Sequence, residues 1–377
     1  MTRSVAILGT RGYPSYYGGF ETLVRRLAPY LVSRGWDVTV YGRKGSTTDD
    51  DPNRDLQVKA TTTVGIESKS LSTLSYGLTS TLNAAACNPD VALVMNVANG
   101  FWLPALKARG IPTVVNVDGI EWERDKWGKR AKQVFYGGAR LTAKYATRLV
   151  MDSTEIERRW VREFRRSGDF IPYGGELVQS MGPVEGLTPG EYVLLVARFV
   201  PENTVPEFIA AAEVLSRDHD VVIVGSSGYG GVLDRAVEQL VERSSRIRWL
   251  GHVSNDSTLF ALWQNAGAYF HGHSVGGTNP ALVQAMACGA PIVARDTVYN
   301  REVLQDSGLF VQPNPNEIAA ACTRLLNSPN LRLDISQRSS ARAQQHYSWD
   351  SVCSEYEKSL LGAIAGRTAG RTRGYAN

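Results

Sequence analysis

Two residue types suited to phosphate and sugar chemistry stand close together in the run ARFVPEN (197–203). Arg198 carries a guanidinium, which binds a diphosphate through two parallel hydrogen bonds. Glu202 carries a carboxylate, which can bind sugar hydroxyls or stabilise a developing positive charge. The run follows a β-branched segment, so both side chains are expected at the carboxyl end of a strand, where parallel sheets bind ligands. The alternative is a surface ion pair between the two.

A polar, glycine-rich loop (HGHSVGGTNP, 271–280) precedes a helical pattern that begins at Pro280, a favoured first helical residue. A helix N-terminus offers free amides and partial positive charge to an anion. The donor-binding residues expected here are Gly276, Gly277, Thr278 and Asn279. Gln284, one turn into the helix, is expected to reach a ribose. A well-capped helix without a ligand is the alternative. No third metal ligand accompanies His271 and His273, so a metal site is not expected.

Another glycine-rich loop lies near the N-terminus, between a predicted strand (4–9) and a predicted helix (20–34). Gly18 and Gly19 would let a phosphate approach the helix N-terminus, although a tight strand-to-helix turn is the alternative. The glycine spacing is not that of the dinucleotide fingerprint GxGxxG. This counts against a nicotinamide-dependent dehydrogenase.

An acidic residue, Asp118, follows the predicted strand 112–117 in the run NVDGIEW. A carboxylate at that place can orient or deprotonate an acceptor hydroxyl, so we expect Asp118 to be the catalytic base. Glu121 is a second candidate. A turn-capping role for Asp118 before Gly119 is the alternative.

Eight basic residues and one acid fall between Arg124 and Arg148, with aromatic residues interleaved. Such a segment suits the headgroup region of an anionic membrane. RNA binding or a solvated face are the alternatives. The predicted membrane and acceptor patch consists of Trp122, Arg124, Lys126, Trp127, Lys129, Arg130 and Lys132.

Short β-branched runs alternate with helical patterns along most of the chain, which predicts parallel sheets with crossover helices. We expect two Rossmann-like, doubly wound α/β domains facing across a cleft. The predicted first domain (1–168) would hold the acceptor and the second (169–347) the nucleotide-sugar donor. A C-terminal helix (348–365) would pack back on the first domain, and 366–377 would form a disordered tail.

Composition supports a folded two-domain protein. The chain has 377 residues, 43% of them apolar, and a net charge of +4, which does not by itself indicate nucleic acid. Its four cysteines form no CxxC pair, so a zinc site, a redox motif or a disulfide scaffold is not expected. No apolar run approaches the ~20 residues that span a bilayer. A cytoplasmic location, peripheral on the inner face of the membrane, is therefore predicted.

These motifs resemble glycosyltransferase family 4, retaining sugar transferases of GT-B fold. The segments ARFVPEN and AMACGAP are similar to family elements, and TRGYPSYYGGFET, NVDGIEW and HSVGGTNP look like bacterial rhamnosyltransferases of cell-surface polysaccharide assembly. The resemblance implies transfer of L-rhamnose, with dTDP-L-rhamnose as the expected donor, to a sugar on a lipid diphosphate. It also implies a retained anomeric configuration, no catalytic metal and no bound cofactor.

The chain departs from the general family pattern at three positions. Gly276 replaces the first Glu of the E-x7-E motif, and Gln284 replaces the second, which usually holds the ribose hydroxyls. Asn203 replaces a phosphate-binding Lys, which leaves Arg198 and backbone amides to neutralise the diphosphate. An amide at 284 is compatible with a deoxyribose nucleotide. A UDP-sugar donor, a nucleotide-sugar 2-epimerase and an inactive nucleotide-sugar binding protein remain alternatives.

Overall fold

The computed structural model describes residues 2–16, 18–48, 50–67, 72–228 and 230–373, with side chains as far as 366. The chain forms two compact units, the first made of Met1–Pro172 and Asp350–Asn377 and the second of Tyr173–Trp349. Each contains one parallel sheet with helical crossovers. The prediction of two doubly wound α/β domains is confirmed.

The sheet of the first unit has seven parallel strands in the order β3-β2-β1-β4-β5-β6-β7. All five residues of β4 are buried, as expected for a strand covered on both faces. The strands are β1 (Arg3–Leu8), β2 (Trp36–Arg43), β3 (Lys59–Thr63), β4 (Val91–Met95), β5 (Thr113–Asn116), β6 (Arg148–Met151) and β7 (Asp169–Phe170).

Helices connect these strands, and their apolar stripes face the sheet. In the first helix, Leu23, Leu27 and Leu31 recur at intervals of four residues and are buried. The helices are α1 (Gly19–Ser33), α2 (Ser72–Cys87), α3 (Leu103–Ala108), α4 (Lys129–Tyr145) and α5 (Thr154–Phe164), with short 3-10 helices at Val97–Trp102 and Glu121–Glu123.

The sheet of the second unit has six parallel strands in the order β10-β9-β8-β11-β12-β13. One apolar cluster fills each side of it: Leu194 and Tyr269 belong to one cluster, whereas Val193 and Phe270 belong to the other. This alternation is what a strand covered on both faces requires. The strands are β8 (Tyr192–Val196), β9 (Asp220–Val224), β10 (Ile247–Trp249), β11 (Ala268–His271), β12 (Ile292–Arg295) and β13 (Leu309–Val311).

Seven helices of the second unit lie within its described residues. Four of them have Pro in the first turn, where a backbone N–H would have no acceptor within the helix, so its absence costs no hydrogen bond. They are α6 (Val205–Leu215), α7 (Val232–Arg243), α8 (Asp256–Asn265), α9 (Pro280–Ala287), α10 (Val298–Leu304), α11 (Pro315–Leu326) and α12 (Pro329–His346), with a 3-10 helix at Pro201–Asn203.

The last helix, α13 (Trp349–Arg373), returns the chain to the first unit. Tyr356 is buried there, and its hydroxyl accepts a hydrogen bond from Nδ2 of Asn116 at 2.7 Å. The sequence prediction ended this helix at 365 and made 366–377 a disordered tail. The backbone is instead helical to Arg373, and the segment contains no proline that would end the helix. Residues 374–377 lie outside the described part.

Within the described part of the chain, no helix is long and apolar enough to cross a membrane.

Candidate functional site

The first unit places Asp118 just beyond the carboxyl end of strand β5. Its backbone is left-handed (φ 61°), which a non-glycine residue rarely adopts and which occurs most often at functional sites. The backbone N–H of Asp118 donates to Oδ1 of Asn116 at 2.9 Å. Oδ2 of Asp118 accepts from Nδ2 of Asn96 at 3.1 Å. The carboxylate is therefore held in one orientation.

Glu121 lies next to Asp118 and is almost fully buried, with 2% of its surface exposed. Its carboxylate accepts from Arg124 at 2.7 Å and from Nε1 of Trp127 at 2.8 Å, and Nζ of Lys126 lies 3.7 Å away. Burial acts to raise the pKa of Glu121, but the charges of Arg124 and Lys126 and these hydrogen bonds outweigh it and lower the pKa. Glu121 is thus a charged, fully engaged group and a poor candidate for the base.

Asp118 has the opposite electrostatics. Burial and the nearby charge of Glu121 raise the pKa of Asp118 above its ordinary value, against the opposing charges of Arg124 and Lys126. A raised pKa makes a carboxylate a better proton acceptor. The geometry therefore separates two carboxylates that the sequence left as rivals: Asp118 can exchange a proton, and Glu121 organises the charges around it.

The predicted membrane patch is wrong at Trp122, which is buried. Its ring packs in an aromatic cluster with the rings of Tyr136, Trp160 and Phe164, at centroid distances of 5.9, 6.2 and 5.8 Å. Interleaved aromatic residues on a basic segment suggested a membrane face, but the interior of the first unit provides the apolar partner instead. Trp122 is therefore a core residue.

The same correction applies to Arg124 and Trp127, which hydrogen-bond to the carboxylate of Glu121, because a buried carboxylate needs compensating donors. Lys126 is exposed as a residue, and its Nζ lies 3.7 Å from the same carboxylate. Lys132 donates to the backbone oxygen of Glu123 at 3.3 Å.

Of the predicted patch, Lys129 and Arg130 are exposed, in the first turn of α4. Val134 and Tyr136, each 37% exposed, follow in the same helix. The surface defined by Lys129, Arg130, Val134 and Tyr136 is called the α4 surface below.

Gly18 and Gly19 stand at the start of α1. Gly18 is the N-cap and supplies no side-chain cap, while its carbonyl accepts from the backbone N–H of Thr22 at 3.0 Å. The helix N-terminus thus keeps its orphan amides, as an anion-binding loop requires. Tyr17, immediately before, lies outside the described residues.

In the second unit, Arg198 lies two residues beyond the end of β8 with an exposed side chain. Its carbonyl accepts from Nδ2 of Asn203 at 2.9 Å, and Asn203 is buried. Asn203 stands where the family has a phosphate-binding Lys, so a donor contact is expected of its side chain. The structure corrects this expectation, since the side-chain amide N–H closes the turn that carries Arg198.

Glu202 is also buried, and its carbonyl joins the turn to the glycine-rich loop. That oxygen accepts from the backbone N–H of Ser274 at 3.0 Å and from its hydroxyl at 2.8 Å. Nearby, the hydroxyl of Thr204 donates to the carbonyl of Gly272 at 2.5 Å. A Cβ at Gly272 would lie 2.4 Å from the carbonyl oxygen of Asn203, so only glycine permits this approach. The two motifs are thereby assembled into one polar surface.

The loop itself adopts a conformation that suits its glycine. Gly276 has φ 99°, and nothing lies within 4 Å of a Cβ built there. Gly276 therefore leaves open space where the related family carries a glutamate. Gly277 is partly exposed and Thr278 is buried. Asn279 is the N-cap of α9, and its Oδ1 accepts from the backbone N–H groups of Ala281 (2.9 Å) and Leu282 (3.4 Å).

The Asn279 cap corrects the expectation that these amides would be free for a ligand. The side chain of Asn279 satisfies them.

Gln284 is not placed to hold a ribose. Its Oε1 accepts from the backbone N–H of Glu176 at 2.9 Å, and its Nε2 donates to the carbonyl of Glu176 at 2.9 Å. Both ends of the amide are thus engaged with one peptide segment, which approaches α9 closely because Gly175 has no Cβ. The predicted ribose contact is corrected to a clasp between α9 and the segment around Glu176.

Asn96 is a site residue that the sequence interpretation missed. It follows β4 directly, has a left-handed backbone (φ 68°) and hydrogen-bonds to Asp118. A polar residue that ends the apolar run VALVM was an available signal.

Among the side chains that the structure describes, no group of three or more His, Cys, Asp or Glu residues is placed to hold a metal ion.

Two family models match the chain in succession. Residues 18–174 match the glycosyl transferase 4-like domain, and residues 184–342 match glycosyl transferases group 1.

Two curated relatives match about half of the chain or less. The O-antigen chain mannosyltransferase B of Escherichia coli is 28% identical over 172 residues, which cover 44% of this chain and 44% of the relative. The phosphatidyl-myo-inositol mannosyltransferase of Mycolicibacterium smegmatis is 30% identical over 192 residues, which cover 50% of this chain and 45% of the relative. The chain thus spans less than half the length of these relatives.

Solved structures match over nearly the whole chain. The sucrose-phosphate synthase of Thermosynechococcus elongatus has a TM-score of 0.77 at 19% identity, covering 97% of this chain and 100% of that one. HepE of Anabaena, solved in complex with UDP-glucose, has a TM-score of 0.73 at 16% identity, covering 95% of this chain and 99% of that one. At these identities the likeness shows the fold, which is that of the GT-B glycosyltransferases.

Proposed function

We propose the reaction that this chain catalyses. The chain is a glycosyltransferase of the GT-B type, made of a glycosyl transferase 4-like domain and a glycosyl transferases group 1 domain. The chain transfers a hexose from a nucleoside diphosphate to a hydroxyl group and retains the anomeric configuration. The observation that carries this proposal is Asp118, a carboxylate with a raised pKa held in a left-handed turn at the end of β5. That arrangement is what a base for a sugar hydroxyl requires.

The second unit would bind the donor. Arg198 is exposed at the carboxyl end of β8, where its guanidinium can neutralise a diphosphate. Gly276 leaves open space in the glycine-rich loop that the turn after β8 contacts. Glu202 lies in the same turn, where its carboxylate can contact the sugar. Relatives of this fold solved with UDP and UDP-glucose support a nucleotide sugar as the donor class.

The proposed sugar is L-rhamnose, delivered as dTDP-L-rhamnose. The segments that resemble bacterial rhamnosyltransferases support this donor, and the amide of Gln284, which is engaged with Glu176, is compatible with a deoxyribose nucleotide. Mannose is the second candidate sugar, since two curated relatives carry the name mannosyltransferase.

The proposed acceptor is a sugar on a lipid diphosphate, presented at the inner face of the membrane in polysaccharide synthesis. The α4 surface supports this, because exposed Lys129 and Arg130 stand beside partly exposed Val134 and Tyr136. Cationic side chains attract anionic headgroups, and the exposed apolar surface of Val134 can insert among them. The protein would act there as a peripheral membrane protein.

In the reaction, the acceptor oxygen forms a bond to the anomeric carbon on the face from which the diphosphate leaves. The carbon–oxygen bond to the diphosphate breaks, and its electron pair remains on the leaving group, whose charge Arg198 stabilises. Asp118 accepts the proton of the acceptor hydroxyl. Asn96 and Asn116 hold that carboxylate and its backbone in place. No bound cofactor takes part in this scheme.

A donor panel tests the proposal. dTDP-L-rhamnose, UDP-glucose, UDP-N-acetylglucosamine and GDP-mannose are each incubated with a synthetic lipid-diphosphate-N-acetylglucosamine acceptor, and glycosylated product is measured by mass spectrometry. We expect product with dTDP-L-rhamnose. Turnover of UDP-N-acetylglucosamine without acceptor would favour a 2-epimerase, and donor binding without transfer or hydrolysis would favour a binding protein.

A further inference from the structure

Two non-glycine residues with left-handed backbones stand side by side at the carboxyl ends of the neighbouring strands β4 and β5. Asn96 follows β4 with φ 68°, and Asp118 lies just beyond β5 with φ 61°. Such a conformation is unfavourable for a residue with a side chain and persists where the surroundings enforce it. Here each residue takes part in hydrogen bonds that fix the other.

Both the oxygen and the nitrogen of the Asn96 side-chain amide form hydrogen bonds, so a rotation of the amide would break both. Oδ1 accepts from the backbone N–H of Ala98 at 2.9 Å, which caps the 3-10 helix after β4. That bond identifies Nδ2 as the atom directed at Asp118, 3.1 Å from Oδ2. An N–H that donates to a carboxylate stabilises its charged form.

A second amide fixes the backbone of Asp118. Oδ1 of Asn116 accepts the Asp118 N–H at 2.9 Å, and Nδ2 of Asn116 donates to the hydroxyl of Tyr356 at 2.7 Å. Both Asn116 and Tyr356 are buried, so this chain of bonds is shielded from water. The C-terminal helix α13 therefore supports the turn that carries Asp118.

We infer that Asn96 is a positioning residue for Asp118, whose amide orients the carboxylate and favours its charged form. This inference rests on the proposed function, in which Asp118 accepts the acceptor proton. The other charged groups that act on Asp118 are Glu121, which opposes its ionisation, and Arg124 and Lys126, which favour it. Asn96 and the two cations thus lower the pKa of Asp118, whereas burial and Glu121 raise it.

The test replaces the donor amide by a second carboxylate. Asn96→Asp keeps the cap on Ala98 and tolerates the left-handed backbone, but it removes the N–H and places a like charge beside Asp118. We expect the acidic limb of the transfer pH profile, measured with dTDP-L-rhamnose and the lipid-diphosphate acceptor, to move up by about one pH unit or more. Transfer below the limb then falls about tenfold.

A matched control is available in the same unit. Asn88 also has a left-handed backbone (φ 51°) and is exposed just beyond the end of α2. Asn88→Asp makes the same chemical change at another residue of positive φ, and its limb should stay at the wild-type pH. A loss of rate in Asn96→Asp that is equal at every pH would show a merely structural role and overturn the inference.

Two further measurements keep the inference testable. Asn96→Gly retains the left-handed backbone and removes the amide, so its limb should also move up if Asn96→Asp fails to fold. The unfolding midpoint reports the interaction between residue 96 and the carboxylate of Asp118 and needs no transferase activity. The midpoint of Asn96→Asp should fall relative to wild type as pH rises from about 4 to 7, because two adjacent carboxylates must then ionise together.

These outcomes separate the two claims. Absent transfer by the wild type with every donor refutes the proposed function. An unmoved limb in both Asn96 variants, with transfer lost in Asp118→Asn, refutes only the role of Asn96.

Discussion

Replacing Glu121 by Gln should lower stability and at the same time make Asp118 easier to ionise. The carboxylate of Glu121 has 2% of its surface exposed and accepts from Arg124 and Trp127 at 2.7 and 2.8 Å. Breaking a buried pair costs about 3–5 kcal/mol, because the remaining charge has lost its partner. The Arg124 and Lys126 side chains are 14% and 26% exposed and keep some hydration, so we expect about 3 kcal/mol.

The pH dependence of this loss has a defined sign. Because the pKa of Glu121 is lowered in the folded protein, its contribution to the free energy of unfolding is present above its unfolded pKa of about 4.3. That contribution disappears as pH falls through the lower folded value. Urea unfolding followed by circular dichroism should therefore show a gap between wild type and Glu121→Gln at pH 7 that closes below about pH 4.

The kinetic consequence runs in the opposite direction. Removing the charge of Glu121 relieves the repulsion that helps raise the pKa of Asp118 and leaves Arg124 and Lys126 to stabilise its ionised form. The acidic limb of the transfer profile should move to lower pH, opposite to the movement expected for Asn96→Asp. Equal stability at pH 7, or a limb that stays in place or moves up, would refute this account of the two carboxylates.

Three further predictions concern the remaining surfaces. Arg198→Ala should weaken dTDP binding in calorimetry by about 1.5–3 kcal/mol, the worth of a charge-assisted hydrogen bond, and an unchanged Kd would exclude its diphosphate role. Gln284→Ala should lower the free energy of unfolding by about 1–3 kcal/mol because the Glu176 backbone loses two hydrogen-bond partners, and the Kd for dTDP should stay unchanged. A higher Kd would instead support the original hypothesis that Gln284 contacts the ribose. The double variant Lys129→Gln with Arg130→Gln should bind phosphatidylglycerol vesicles about 30-fold more weakly in a sedimentation assay, which corresponds to about 2 kcal/mol. Neutralising two exposed arginines of the second unit, Arg243 and Arg246, should leave vesicle binding unchanged. Equal binding by both double variants would contradict the role of the α4 surface.

The strands were predictable because buried parallel strands consist largely of runs of β-branched residues. The predicted strands 4–9 and 112–117 are observed as β1 and β5, with ends that differ by one residue. The helix α2 was not predicted, since its sequence STLSYGLTSTLNAAAC mixes Ser, Thr and Gly and shows no clear apolar period. Its existence depends on packing that local propensity does not record.

The site was predictable in its strand-end residues but not in its long-range partners. The strand-end positions of Asp118 and Arg198 were predictable because a charged residue follows a buried run in each case, and their roles in catalysis and binding stay predictions. Gln284 was misjudged because its partner, the backbone of Glu176, lies 108 residues away in sequence. Likewise, the charge count of the segment after Trp122 could not show that Arg124 and Lys126 face a buried carboxylate.

The measurement that tests the central claim most directly compares wild type and Asp118→Asn with dTDP-L-rhamnose and the lipid-diphosphate acceptor, with the product linkage read by NMR. Donor affinity is measured in parallel by calorimetry as the control for folding and binding. The account predicts a wild-type product with the anomeric configuration of the donor, and a variant that binds donor normally but transfers at least about a hundredfold more slowly, as loss of a general base implies. An inverted product, or full transfer by Asp118→Asn, would contradict it.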